Sequence, residues 1–486
     1  MTQQEILSLV WKKNVHDQDK IRKAEQEKNY YYYIGSKNEL EGYLTNALSL
    51  TYSIDDITDM QLNYVNLTKK LVNQLTVIYK EKPDRYLVDA AGKKVEKQTE
   101  YYLSILPEDI NLQDKTAHRY GKVFGTSLTQ VYFKNGKIRY RVHASQNLDI
   151  KTDDEDTKEL ELVAYEKYYK DEIFTIIYTA DEYFKVDANG NPQKDKENPK
   201  NQNPIGMLPF ARFFTEQGEG FWGEGVTDVV NTNEQINFLL TKLINRDLII
   251  GSEGTVLATN CGLRKKGLKP DDEDGVKKIK IGIKNPIVVE TDRTDIPAPN
   301  IQHISFQPQI LEIRNTIDWY IKLIALSRGL NPNSFLADVQ ATSGYSKIID
   351  SLEQLEFRQE DLENARIFEQ ERFEITRAVN NYYAGTQEGR DAKLQMIPED
   401  LTLVCDFAEI EVQKTPQEIR DDRLFAWENN LSTPAHALME DNTDLDLETA
   451  QQQIEKNKLI NDELKRKTTL FESVIQKEQN GQIAKQ

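Results

Sequence analysis

The sequence predicts an α+β protein that is predominantly helical, with long helices carrying small β-sheets. Three observations lead there. Apolar residues recur at three- and four-residue steps over long stretches, such as Ile348 to Val379. The period falls to two only in short runs, most clearly on either side of Asn135-Gly136. Two of the long helical stretches, 226–250 and 308–328, bracket a compact segment of short strands.

With 486 residues, 38% hydrophobic and 29% charged, the chain can bury a sizeable core, and its length suggests about three domains. No run approaches the roughly 18 consecutive apolar residues of a membrane helix. The opening MTQQEILSLVWKKN lacks the charged, apolar, small-residue order of a signal peptide, so a soluble protein of cytosolic origin is expected. Cys261 and Cys405 lie far apart without CxxC spacing, which predicts two inert buried thiols rather than a disulfide or a thiolate metal site. The 62 basic residues face 80 acidic ones, for a formal charge of −18. Phosphate neutralisation supplies most of the affinity of a tight, sequence-specific DNA binder, so that class is disfavoured. The same charge suits a wall past which DNA slides.

Thr2-Gln-Gln-Glu5 is a capping box that opens a helix expected to reach Ile34 and stop at Gly35. A second helix is expected from Asp59 to Tyr79, ended by Pro83, the two forming an outer helical layer. From Thr99 a helical stretch leads to a turn over Gly121-Lys-Val-Phe-Gly125. Then Leu128 to Phe133 and Lys137 to Val142 flank Asn135-Gly136 as a hairpin with a type I′ turn. Glu159 to Tyr169 and Ile173 to Tyr178 read as strands, and Asn189-Gly190 as a turn before a polar loop to Asn203.

Gly218-Glu-Gly220-Phe-Trp-Gly223-Glu-Gly225 matches GxGxxG between an expected strand, Leu208 to Phe214, and a helix. A dinucleotide turn would place the ribose-binding acid at a strand end, whereas Asp247 falls inside the expected helix and Phe221-Trp222 crowds the turn. The segment reads instead as a flexible hinge into the helix Val226 to Ile250. Short strands follow at Thr255 to Ala258, Val276 to Ile281 and Ile287 to Glu290, and a return helix at Pro308 to Arg328. The acidic Asp271-Asp-Glu-Asp274 loop has Gly282 where an EF-hand needs its bidentate Glu, so it reads as a solvated turn. Asn331-Pro332 ends the return helix, and an irregular stretch, Asn333 to Ser343, leads to a helix of about 40 residues, some 60 Å long, ending near Tyr383. Leu401 to Val412 alternates as a strand. Thr415-Pro416-Gln417-Glu418 combines N-cap, N1 proline and N3 glutamate, and a last helix starts near Leu447 and frays after Lys477.

Motifs for chemistry are nearly absent. The five histidines, His16, His118, His143, His303 and His436, form no HExxH or HxH group. Neither GxxxxGK[ST] nor GxSxG occurs, and no carboxylate pair stands out. Tyr30 to Tyr33 adjoin Glu25, Glu27 and Glu39 rather than a basic patch, which favours packing over base stacking. No catalytic residue, metal or cofactor is therefore expected.

Five segments in order resemble the portal proteins of tailed bacteriophages. They are Asn29 to Gly35; Asn66 to Arg85, closing on Lys82-Pro83; and Ala117 to Tyr132, with Gly125 at the family's glycine. Pro209 to Phe214 with Gly225-Val-Thr-Asp228 and Ile236-Asn237 follows, then Ala325 to Ser346, where Tyr345 and Ser346 stand after Thr342-Ser343-Gly344 in place of the family's SG.A junction. The resemblance implies a wing over 1–225, stem helices at 226–250 and 305–330, a clip at 251–304, a tunnel loop at 331–342, the wing's long helix and strand at 343–414, and a crown at 415–486. It further implies a homododecameric ring at one capsid vertex of the virion, assembled in the host cytoplasm and serving DNA packaging and ejection. Its partners would be the terminase large subunit, a head-completion or adaptor protein, the major capsid and scaffolding proteins, and double-stranded DNA passing without sequence-specific contact, with no membrane involved. Two rival classes remain: another phage head-tail connector, and a nucleic-acid-processing enzyme, which would need an acidic metal cluster on strand ends.

Two candidate sites follow. Asn333, Ser334, Phe335, Leu336, Val339 and Gln340 lie in a stretch with Asp338 as its one acidic residue, and are expected on a loop facing a DNA channel. Alternatively, Phe335, Leu336 and Val339 anchor an ordinary interhelical loop in the core. Arg264, Lys265, Lys266 and Lys269 form a basic run that would face the terminase or an adaptor, or else simply lie in solvent.

Overall fold

The computed structural model describes residues 6, 17–169, 172–189, 191–193, 198, 200–215, 220–245, 255–259, 262–265, 287–290, 300–304, 309–332, 335, 344–408, 416–442 and 445–483. It is α+β and mostly helical, with small antiparallel sheets. Two compact units are present, 1–340 with 350–409, and 341–349 with 410–486.

The first unit opens with helices α1 (Asp17–Ile34), α2 (Lys37–Ser49), α3 (Ile54–Asp59) and α4 (Leu67–Leu75). Gly35, at φ +74°, ends α1 where the sequence places the stop, and Tyr31 O accepts from both Gly35 N and Ser36 N. The helix expected over Asp59 to Tyr79 is instead broken: 60–66 is extended, and only Leu67–Leu75 is α-helical before a 3-10 turn at Ile78–Lys80. Strand β1 (Asp84–Val88) and helices α5 (Glu96–Ile105) and α6 (Ile110–Phe124) follow. Gly121 lies inside α6 rather than in a turn. A Cβ there would meet the Phe213 ring at 2.6 Å, so the glycine serves helix-on-sheet packing, and Gly125, at φ +85°, ends the helix.

The hairpin β2 (Thr126–Lys134) and β3 (Lys137–His143) turns through Asn135 and Gly136, both at positive φ as a type I′ turn requires. Strand β9 (Phe210–Phe214) pairs with the other edge of β2. Strands β4 (Leu148–Thr152), β5 (Leu160–Tyr169), β6 (Glu172–Thr179), β7 (Tyr183–Val186) and β8 (Pro192–Gln193) form a five-stranded meander. Its alternation shows directly in the core: Val163 and Tyr165 pack towards Phe210 and Phe221, while Leu162 and Ala164 pack with Ile6, Ile177 and Phe184.

Helices α7 (Thr227–Lys242) and α8 (Ile310–Leu326) pack antiparallel. Ile236 meets Ile313 and Ile317 at one end, and at the other Arg328, just beyond α8, hydrogen-bonds Asp228. Between them lie β10 (Thr255–Thr259), β11 (Gly262–Lys265), β12 (Ile287–Glu290) and β13 (Asn300–Ile304), with β10 paired to β13 and β11 to β12. The strand expected over Val276 to Ile281 and the Asp271–Asp274 loop lie outside the described residues. Helix α9 (Gly344–Ala384) lays Leu362, Ala365, Phe368, Ile375 and Val379 against α6 and the β2–β3–β9 sheet. After a short α10 (Gln387–Asp391), β14 (Thr402–Asp406) pairs with β1, so the chain's most distant strand ladder closes this core.

In the second unit α11 (Pro416–Glu428) begins at its N1 proline, α12 (Pro434–Asp441) is capped by Thr433 accepting from His436 N, and α13 (Leu447–Ile483) continues past Lys477. Arg423 on α11 pairs with Asp441 at 2.6 Å.

Candidate functional site

Two polar constructions on the first unit position everything near the end of α8. The first is a ladder on α7. Asn233, Asn237 and Thr241 on α7, and Asn245 in the π-helical turn that continues it, are spaced by four and line one side of the helix. Asn245 bonds both backbone groups of Gln61, at 2.8 Å each. Thr241 Oγ1 accepts from Asn63 N at 3.0 Å and donates to Asn63 O. Asn237 Oδ1 accepts from Val65 N at 2.8 Å, and Asn233 bonds Val65 O, Leu67 N and Thr68 N. Four helical residues rise about 6.0 Å and two extended residues about 6.6 Å, so each rung meets every second residue of the strand-like segment. Segment 61–67 is therefore held extended and sets the start of α4, whose first turn Asn66 caps by accepting from Lys69 N.

The second construction is a buried ion cluster. Arg85 donates to Glu369 at 2.9 and 2.8 Å and to Asp114 at 2.6 Å, while Arg372 donates to Glu369 at 2.8 Å and to Asp114. Tyr79 donates to Glu369 at 3.0 Å. All four charged side chains are at most 1% exposed, and two cations face two anions, so the cluster is neutral. Burial alone would raise the Glu369 carboxyl, yet Arg372 and Arg85, with donated hydrogen bonds, hold it down at about 2. The cluster ties β1 and α6 to α9 beneath the surface and has no open face for a ligand.

A cleft lies on the other side of α6. Its lining comes from α4 and the turn after it (Asn73, Gln74, Thr76, Val77, Lys80), from α6 (Lys115, Arg119) and from the residues after α8 (Leu330, Asn331). The volume is about 480 Å³. Lys115, Arg119 and Lys122 recur at steps of four and three along α6, so all three point the same way. Lys122 pairs with Asp361 at 2.7 Å in a neighbouring pocket, which also contains Arg328 and Glu224. Among the described residues Lys80, Lys115 and Arg119 form no ion pair or hydrogen bond, and no described carboxylate lines their cleft.

The chain leaves α8 at this point. Gly329, at φ +61°, donates to Leu326 O, and Leu330 N donates to Ala325 O, a Schellman end, after which Pro332 bars further helix. Phe335 is then half-buried, its ring against the core shared by Leu71, Val229, Ile324 and Ala325, with Lys70 Nζ 4.9 Å from the ring centroid. An apolar notch between α4, α7 and α8 receives this side chain. Asn333, Ser334, Leu336, Val339 and Gln340 lie outside the described residues.

Arg264 and Lys265 stand on β11, opposite Val288 and Ile287, whereas Lys266 and Lys269 lie outside the described residues. In the GxGxxG segment, Gly218 also lies outside them. Gly225 is pressed on the end of α6, where a Cβ would fall 2.4 Å from Val123 O, and a Cβ on Gly125 would fall 1.9 Å from Gly223 O. These glycines permit backbone to cross backbone, so the segment is a packed crossing rather than the flexible hinge expected. Tyr32 is buried, and Tyr30 stacks on Phe124 at 6.1 Å. Cys405 is buried, its thiol pushed up by desolvation, and Cys261 lies outside the described residues. Among the described residues no group of three or more metal-ligating side chains occurs, and no helix is long and apolar enough to cross a membrane.

The sequence signal for the cleft is the 4-3 basic spacing on α6, a faint one because the cations are dilute in an acidic chain. Lys80 joins them only through the fold. No protein-family model and no curated protein matches the chain. Among solved structures it is similar, at TM-score 0.34 and 11% identity, to a chain described as "Neck of empty GTA particle computed with C6 symmetry", covering 76% of this chain and 88% of that one. A likeness at that score assigns neither fold nor function.

Proposed function

We propose that this chain is a non-enzymatic subunit of a tailed-bacteriophage portal, a twelve-membered ring at one capsid vertex through which double-stranded DNA is packaged and ejected. Terminase and a head-completion or adaptor protein would dock on it, and the capsid and scaffolding proteins would surround it. The observation that supports this reading best is the excursion out along α7, through the paired strands β10–β13, and back along α8. The 41-residue helix α9 comes next in the described chain, in the order that the portal resemblance implies. A helix pair interrupted by a small β module suits a subunit that contributes one stave to a channel. Heterologous contacts between identical copies close into a ring when the rotation permits.

Negative-stain imaging and native mass spectrometry of the purified full chain test the reading. Closed rings with a central channel are expected. Only monomers and dimers across a range of mild salt conditions would overturn it.

A further inference from the structure

We propose that the cleft between α4, α6 and the end of α8 is a phosphate-binding site, with Lys80, Lys115 and Arg119 as its charged ligands. The inference stands on the cleft itself and does not require the ring assignment. Three cations line one cleft, with no counter-charge among the described residues, in a chain whose formal charge is −18. Like charges gathered in a concave, partly desolvated surface repel one another and focus a positive potential, which a bound anion relieves. A single carboxylate would neutralise one of the three. A phosphodiester run or a polyphosphate can neutralise all of them, and the guanidinium of Arg119 matches phosphate oxygens in bidentate geometry.

The remaining lining fits the same chemistry. Asn73 brings an amide able to donate to a phosphate oxygen, Gln74, Thr76 and Asn331 make the wall polar, and Val77 and Leu330 provide an apolar floor. A volume of about 480 Å³ admits a nucleotide-sized group and exceeds what a single ion needs. The adjoining pocket shares Gln74 and Val77, but its Lys122 is already paired with Asp361.

The phosphates could belong to a nucleic-acid backbone or to a free polyphosphate, and the test separates the two. The full-length protein and its Lys80→Gln/Lys115→Gln/Arg119→Gln variant, matched by circular dichroism and melting, are titrated with a labelled DNA duplex and with inorganic pyrophosphate across a salt series. The variant is expected to lose about tenfold or more in affinity for whichever probe occupies the cleft. For the duplex, the slope of log affinity against log salt should also flatten by roughly 0.9 per cation removed. Loss of duplex binding identifies the backbone, and loss of pyrophosphate binding identifies a free ligand; either supports the site. Equal affinities of the two proteins for both probes overturn it, as does a wild-type protein that binds neither. If the triple variant melts early, Lys80→Gln alone, on the exposed turn, should still weaken binding about threefold. Rings are scored on the same samples: phosphate binding without rings removes the portal reading and leaves the site, and rings without phosphate binding do the reverse.

Discussion

Asp114 and Lys115 are neighbours on α6, yet they serve opposite kinds of site. Asp114 sits in the buried cluster, where every charge has an opposite partner within hydrogen-bonding distance. Lys115 sits in the cleft, where three cations have no described carboxylate among them. The buried group was removed from water, which is tolerable only because its counter-charges came with it. Lys115 and its neighbours stayed in contact with solvent, so the fold could leave them unpaired. Charge neutrality inside and charge excess outside, on two faces of one helix, separate a structural ionic site from one that can still take a ligand.

The largest expected effect breaks the buried side of this comparison. Arg372→Ala leaves Asp114 and Glu369 sharing Arg85, and should cost about 3–5 kcal/mol in urea unfolding. Replacing both members of one pair, Arg372→Met with Asp114→Leu, keeps the cluster neutral and should recover most of that loss. If the double variant is no more stable than the single one, charge balance is not what makes the cluster tolerable.

Asn233→Ala should come next. It strips partners from Val65 O, Leu67 N and Thr68 N, and about 1–3 kcal/mol is expected for such unsatisfied backbone groups. Amide exchange should speed up first at Leu67 and Thr68.

Acidification titrates the buried groups and spares the cleft. Burial, with Arg141 adding to it, pushes His143 down to about 3. Burial likewise lowers His118, against the pull of Asp361, with Lys122 and Arg119 also nearby. His143 stays neutral in the folded state and protonates in the unfolded one below about pH 6.5, so stability present above that pH is lost as pH falls, at about 1.4 kcal/mol per unit, and the lowered His118 acts in the same direction. Below about pH 4.5 the depressed Glu369 carboxyl adds a second loss. His143→Gln should make the fall of melting temperature between pH 6.5 and 4.5 clearly shallower and leave the loss from Glu369 at lower pH in place. Identical profiles for the two proteins would show that His143 is not held neutral.

The smallest effect is expected in the cleft. Lys115→Gln should change stability by less than about 0.5 kcal/mol, because no partner is lost. A larger loss would mean that the lysine is structural.

The regions that could be read from sequence were those whose cause is local. Asn135-Gly136 fixes a hairpin by its own backbone, and Pro416 starts a helix by its own ring. The extended segment 61–66 was misread as helix because its hydrogen bonds go to Asn233, Asn237, Thr241 and Asn245, residues that look like a solvated face. Gly121 was misread as a turn because the Phe213 ring that needs its space lies on a distant strand. The β1–β14 ladder joins segments separated by most of the chain, beyond any periodicity. In the candidate site, Lys115 and Arg119 could have been found from their spacing, whereas Lys80 and the seat of Phe335 depend on how α4, α7 and α8 come together.

The ladder on α7 also has a mechanical meaning. Its four rungs cross from the helix to the segment and are stacked along the helix axis, so a pull along that axis loads all of them at once and segment 61–67 resists as a unit. A pull at right angles from Gln61 loads Asn245 alone, and the rungs then open one after another towards Asn233. The same hydrogen bonds are thus stiff in shear and weak in peeling, which makes the direction of force, more than the number of bonds, the quantity that decides whether the N-terminal helices stay fastened to α7.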